Sequence, residues 1–147
     1  MKKIILKKSW VIKAPREEVY RIMSDFENMP KYFPKVAESL QILKRDGNNL
    51  TIVAKAKTFG QTFSVQMETQ LRPPVGYVSD NKSAIGSSGH EEFLMEEIPE
   101  GTRINYYYDV ELKNPILRFL GRFLIGWYSM RFWQHAVIDK LKEMLEK

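Results

Sequence analysis

Residues 114–147 read NPILRFLGRFLIGWYSMRFWQHAVIDKLKEMLEK, and the pattern predicts one long closing helix. Asn114 is an N-cap residue and Pro115 fits the first helical position, where its missing N–H costs nothing. No acid follows until Asp139, while Arg118, Arg122 and Arg131 alternate with Phe119, Phe123, Trp127, Tyr128, Phe132 and Trp133. Those six are a third of the chain's aromatics, 8 Phe, 7 Tyr and 3 Trp in all. A helix with this much apolar surface must cover a large apolar partner.

Leu120, Phe123, Trp127, Met130, Gln134, Val137, Leu141 and Met144 recur at steps of three and four, so they form the seam expected to face that partner. The first half of the seam, rich in Met and aromatics, would line a pocket, and the second half would seal a core. Gly121 and Gly126 each weaken the helix by about 1 kcal/mol relative to alanine, so a kink is expected there. Leu117, Phe119, Leu124, Ile125, Tyr128, Phe132 and Trp133 lie off the seam. They either pack against short helices and strand ends or form an apolar and basic patch for a bilayer or partner.

The partner is found upstream. Leu6 to Ile12 alternates weakly as a first strand, and Ala14-Pro15-Arg16-Glu17-Glu18 opens a short helix whose apolar face is Val19, Tyr20, Ile22 and Met23. Pro30 and Pro34 limit residues 25–35 to turns or one further helical turn. The period then changes to two. Glu38 to Arg45 runs into the hairpin turn Asp46-Gly47-Asn48-Asn49. Leu50, Ile52, Ala54 and Ala56 share one face of the next strand, and Phe63, Val65, Met67 and Leu71 one face of the strand after it. Gly76 to Ala84 and Glu91 to Ile98 are further strands around a loop, Gly86-Ser87-Ser88-Gly89. A last strand, Thr102 to Leu112, puts Ile104, Tyr106, Tyr108, Val110 and Leu112 on one face and Tyr107 on the other.

Strand, two short helices, a meander of about six antiparallel strands and a long helix make an α+β domain over residues 1–147. A curved sheet bends away from a straight helix, so an internal pocket is expected between them. The inward rows of sheet and helix nominate Ile52, Ala54, Phe63, Val65, Met67, Phe93, Tyr106, Tyr108, Leu120, Phe123, Trp127 and Met130 as ligand-lining residues. The two phenols would orient a carbonyl or hydroxyl while their rings supply apolar walls.

Composition narrows the function classes. With 147 residues, 44% hydrophobic and 28% charged, the chain suits one soluble domain. Its 23 Lys and Arg against 18 Asp and Glu give +5, short of the clustering of a nucleic-acid binder. Without cysteine there is no disulfide, thiol nucleophile or cysteine metal site. Lys7 and Lys8 end the first apolar run well before the roughly seven residues a secretory segment needs. The Leu117 to Trp133 stretch is too short and too charged for a span of about twenty residues. A cytoplasmic location is expected, with membrane association through the closing helix as its variant.

Catalytic chemistry is not evident. His90 and His135 are far apart and are read without ligand partners at helical spacing, so no metal and no cofactor is expected. The serines of residues 83–90 lack the strand-to-helix turn of a nucleophile elbow, and the segment reads as a flexible loop. Among the carboxylates, Glu91 is a candidate inward acid, alternation turns Glu68 and Asp109 to solvent, and none forms a dyad. No catalytic residue is assigned.

Ser24-Asp25-Phe26-Glu27-Asn28-Met29-Pro30-Lys31-Tyr32-Phe33-Pro34-Lys35-Val36, following Ala14-Pro15-Arg16-Glu17-Glu18-Val19-Tyr20, resembles the opening of the START-like, helix-grip superfamily (SRPBCC), within it the polyketide cyclase/dehydrase and coenzyme Q-binding group. The Glu100-Gly101-Thr102-Arg103-Ile104 turn and the closing Leu141-Lys142-Glu143-Met144-Leu145-Glu146 match it as well. The resemblance spans essentially the whole chain. It implies a helix-grip, Bet v 1-like fold of six to seven strands around the C-terminal helix. It also implies binding or transport of a hydrophobic small molecule, such as a lipid, isoprenoid or quinone. A polyketide cyclase or aromatase is the alternative, and a third is a docking module that meets membranes or proteins through Phe119, Arg122 and Trp133. The turn at residues 46–49 lacks the glycine-rich loop of the pollen-allergen relatives, and no Cys/His/Asp cluster of an oxygenase partner is present.

Overall fold

A computed structural model describes residues 4–35, 37–58, 61–83, 86–112, 115–116, 119 and 130–146. Seven strands form one sheet: β1 (Ile4–Ile12), β2 (Ala37–Asp46), β3 (Asn49–Thr58), β4 (Gln61–Arg72), β5 (Gly76–Ser83), β6 (Ser87–Ile98) and β7 (Gly101–Leu112). They lie in the order β1-β7-β6-β5-β4-β3-β2. All neighbours are antiparallel, and only β1, paired with β7 from Ile4 opposite Val110 to Ile12 opposite Thr102, is out of sequence order.

The local signals act where the pattern placed them. Gly47, at φ +60, turns the β2–β3 hairpin. Pro15 precedes α1 (Arg16–Met23), with Glu17 and Glu18 in the first turn complementing the helix dipole. Val19, Ile22 and Met23 are its buried face. A 3-10 turn, Phe26–Asn28, and α2 (Met29–Tyr32) occupy the segment that Pro30 and Pro34 constrain. The register of β2 slips between Ala37 and Ser39 and again between Ile42 and Lys44, and such bulges bend a strand and increase its twist.

Following the register gives the two faces of the sheet. Leu6, Trp10 and Ile12, Leu50 and Ile52, Tyr77, Phe93 and Met95, and Ile104 and Tyr106 lie on the concave face and belong to one buried cluster. From Met130 the closing helix runs as α3 (Met130–Trp133), a π-helical turn Gln134–Ile138 and α4 (Asp139–Leu145). It completes the cluster with Ala136, Val137, Ile138 and Leu141. Its end is tied back to the first strand, because the Lys13 amide donates to Glu146 Oε2 at 2.7 Å. Thr102, fully buried, spends its hydroxyl on the Ala14 carbonyl at 2.7 Å, so its polar group is satisfied inside the core.

Three expectations are corrected. Ser87, Ser88, Gly89 and His90 are not a loop: they are strand, all four paired with β7 and the last three also with β5. Their polar, small side chains hid the twofold pattern. Gly89 belongs there because a Cβ would fall 2.4 Å from the Asp109 carbonyl oxygen on the neighbouring strand. Asp109 does point to the convex face, as alternation requires, but it is buried rather than solvent-facing. It accepts from the His90 amide at 3.2 Å and the Tyr107 hydroxyl at 2.7 Å.

The third correction concerns the helix seam. Val137 and Leu141 face the sheet and Met144 packs against the same cluster, but Gln134 sits at the rim, accepting from Lys8 Nζ at 3.1 Å. Trp133, assigned off the seam, packs on the sheet. A π turn holds one residue more than an α turn, so a count of three and four carried through Gln134–Ile138 comes out one position wrong. The seam residues Leu120, Phe123 and Trp127 and the expected kink at Gly121 and Gly126 lie outside the described residues.

Leu141 is fully buried beneath the sheet and α1. Leu141→Ala is expected to cost about 3 kcal/mol, the middle of the range for such cavities, read as a lower urea midpoint with an unchanged slope.

Candidate functional site

Four central strands build the middle of the concave face. Their pairing puts Thr69 beside Ser79, Ser79 beside Glu91, and Glu91 beside Tyr108. A polar row therefore crosses a face that is otherwise apolar, with Leu50, Ile52 and Ala54 on one side and Ile104, Val110 and Leu112 on the other.

The row is hydrogen-bonded within itself. Thr69 and Ser79, both buried, share a bond of 2.9 Å between their hydroxyls, and Ser79 also reaches Asn81 Oδ1 at 2.7 Å. Tyr106 donates its hydroxyl to Glu91 Oε2 at 2.5 Å. The Tyr77 hydroxyl lies close enough to the same carboxyl to favour its ionised form.

Aromatic packing holds these phenols in place. Trp133 stacks on Tyr106 with ring centroids 4.5 Å apart and touches Trp10 at 5.2 Å. Tyr77 lies parallel to Phe93 at 5.6 Å and takes the edge of Phe26 at 5.2 Å. Such pairs add about 0.5–1.5 kcal/mol each beyond area burial, so the donors are held rather than swinging. Trp10 Nε1 is enclosed without an acceptor among the described residues.

Electrostatics follow from enclosure. Burial raises the Glu91 carboxyl above the usual carboxylate range, and the bonds from Tyr106 and Tyr77 and the charge of His90 oppose this only in part. Burial and the neighbouring carboxyl push Tyr77 and Tyr106 well above the ordinary phenol value and Tyr108 up to about 12. All three stay phenols and keep their protons as donors. Glu91 nevertheless retains accessible surface on a face that points inward, unlike Phe93 two residues on, which has none.

The expected lining residues divide into two groups. Ile52, Ala54, Phe93 and Tyr106 are buried on the concave face, and Val65, Met67 and Tyr108 are half-buried on it. Phe63 pairs with Ala56 in β4, so it takes the same row of the strand. Its side chain, that of Met130, and residues 120, 123 and 127 lie outside the described residues. Glu91, the candidate inward acid, is placed on this face with Tyr106 as its hydrogen-bond donor. The register signal was available, because Glu91 and Phe93 share one strand parity and Phe93 was read as inward. Thr69 shares the parity of Val65, Met67 and Leu71, whereas Ser79 and Asn81 carry no such signal, being polar residues on a strand without apolar alternation.

The histidines act elsewhere. His90, on the convex face, is held between Asp80 and Glu92 at 2.8 Å each. Exposed His135 bonds Asp139 at 2.8 Å, an i,i+4 partner that the sequence reading overlooked. Among the described residues no group of three His, Cys, Asp or Glu is arranged to hold a metal ion. No helix among them is long and apolar enough to cross a membrane.

A family model described as polyketide cyclase/dehydrase and lipid transport matches residues 3–146, and the chain belongs to that family. No curated protein shows significant similarity to it. Among solved structures it is similar to a START superfamily protein from Mycobacterium smegmatis, with 18% identity, a TM-score of 0.80 and 97% of each chain covered. It is also similar to the di-domain ARO/CYC StfQ from the steffimycin biosynthetic pathway, at 14% identity and a TM-score of 0.79, covering 98% of this chain and 51% of that one. Ginseng major latex-like protein 151 from Panax ginseng gives 9% identity and a TM-score of 0.77, with 97% of each chain covered. At these identities the likeness is one of fold, the helix-grip arrangement.

A raised carboxyl lets the unfolded chain lose its proton first, so stability falls as pH rises from the ordinary carboxylate value through the raised one. Glu91→Gln has no proton to lose. Urea unfolding from pH 4 to 7 is expected to show the variant gaining on the parent with rising pH; parallel profiles would contradict the enclosure of Glu91.

Proposed function

We propose that this member of the polyketide cyclase/dehydrase and lipid transport family binds and carries a hydrophobic small molecule, with a lipid, isoprenoid or quinone-like body, between the concave face and the closing helix. One observation carries the reading: a polar row, with accessible surface at Glu91 and Tyr108, lies on an inward, largely apolar face. An apolar chain buried there gains about 25 cal/mol per Å² removed from water. Polar groups at one depth then orient its head. The proposed location is the cytoplasm.

The Glu91–Tyr106 pair favours one second reading. An enclosed carboxyl beside a phenol is a base and a donor within reach of one carbonyl compound, as a cyclase that removes an adjacent proton requires. Organic extraction of the purified protein, with native mass spectrometry, separates the two. Carriage predicts one bound compound recovered unchanged after incubation; conversion that depends on Glu91 favours the enzyme. Protein free of bound compound and unable to take up any would sink both.

Loading from a membrane is the finer part of the proposal. Ile116 and Phe119 are 70% and 66% exposed, in a run with Arg118, Arg122 and Arg131 and no acid before Asp139. Apolar side chains among cations suit an anionic bilayer. Trp133 leaves this patch, since it stacks on Tyr106. Replacing Phe119 and Arg122 with Glu is expected to weaken binding to phosphatidylglycerol vesicles by about tenfold or more in sedimentation. Equal binding by parent and variant would remove the membrane from the proposal.

A further inference from the structure

Glu91 is an acid placed where an apolar side chain would do. Its strand neighbours on the same face, Phe93 and Met95, are buried hydrophobes, and the facing residues Ile104 and Tyr106 belong to the same cluster. A carboxyl that is ionised in such a place is ordinarily balanced by a cation. Among the described residues the concave face supplies none to it. Lys8, on the inward row of β1, turns to the rim, where its Nζ meets Gln134 and lies 5.8 Å from the Trp10 ring. His90 acts on Glu91 only from the other side of the sheet, where Asp80 and Glu92 already hold its ring.

The carboxyl's capacity is also incompletely used. A carboxylate accepts at about four lone-pair sites, and the hydroxyls of Tyr106 and Tyr77 fill two of them. A group that completes the ionised carboxylate donates to it, and in a desolvated place a charged donor is worth about twice a neutral one. The surrounding rings point the same way. Tyr77, Phe93, Tyr106 and Tyr108 lie next to Glu91 on β5, β6 and β7, and their π faces attract an organic cation held near them.

We propose that the molecule bound in this fold is an amphiphile whose head is a protonated amine, seated against the Glu91 carboxylate and the tyrosines while its apolar body lies along the concave face. This rests on the carrier reading and narrows it. A quinone or ester carbonyl offers only acceptors, so it would leave an ionised Glu91 uncompensated, and a fatty acid would set two carboxylates together. The ammonium supplies a charge that the described residues of the concave face do not give Glu91, together with hydrogen-bond donors. Trp133, stacked on Tyr106, makes the closing helix part of the same enclosure.

Titration of the intact protein at pH 7.5 with decylamine, 1-decanol and decanoate tests the inference, because the three differ only at the head. Decylamine is expected to bind about tenfold more tightly than decanol, a difference of about 1.4 kcal/mol, and decanoate more weakly than either. In Glu91→Gln the preference for amine disappears while decanol binding persists, which shows that the variant is folded. In Tyr106→Phe, which removes a competing donor and keeps the charge, the preference remains. Equal affinity for amine and alcohol in the parent, or a preference that survives Glu91→Gln, overturns the amine assignment and leaves the carrier reading standing. Failure of all three compounds to bind overturns both.

Discussion

Pairing between the first strand and the last constrains everything else in this molecule. With Ile4 to Ile12 laid along β7, β1 and β2 end up at opposite edges of the sheet. The chain between them, α1, the 3-10 turn and α2, must cross from one edge to the other. It does so over the concave side, where Val19, Ile22, Met23, Phe26, Met29 and Phe33 enter the same core as the strands. The closing helix then has one place left, beside α1, and the Lys13–Glu146 bond locks its end to the strand that set the arrangement. Without that pairing the helices would lose the shared surface that orders them.

Given this frame, the inward row becomes a cost with a function. Fully apolar side chains at Thr69, Ser79 and Glu91 would avoid the desolvation of hydroxyls and an acid, each worth about 1–3 kcal/mol when left unpaired. The protein instead pairs the hydroxyls with one another and gives the acid a phenol. Stacked rings then immobilise the donors. An internal network of this kind rigidifies its surroundings, and it also holds polar groups ready in the interior before any ligand arrives.

Much of the fold was legible because its signals are local and redundant. The hairpin glycine, the prolines after α1 and the alternation of β3, β4 and β7 each predict their element and agree with one another. The site was legible only where it is apolar. Phe93, Ile52 and Tyr106 sit on rows that hydrophobic spacing identifies, and Glu91 follows Phe93 by parity, whereas Ser79 and Asn81 look like surface residues until the register of β5 against β6 is known. Ser87 to His90 failed for the same reason, since a strand with small polar residues turned inward imitates a loop. Trp133 failed differently: spacing along a helix assumes a constant number of residues per turn, and one π turn breaks that assumption.

That turn divides the closing helix into two segments whose faces are out of phase. Downstream, Val137 and Leu141 answer to the core; upstream, Trp133 answers to Tyr106 and Trp10. Variation in one segment therefore need not propagate into the other, as it would along an uninterrupted α-helix with a single continuous ridge. The helix works as a joint between two modules: an anchor that is free to drift only as hydrophobic volume allows, and a wall that can change with whatever the fold encloses.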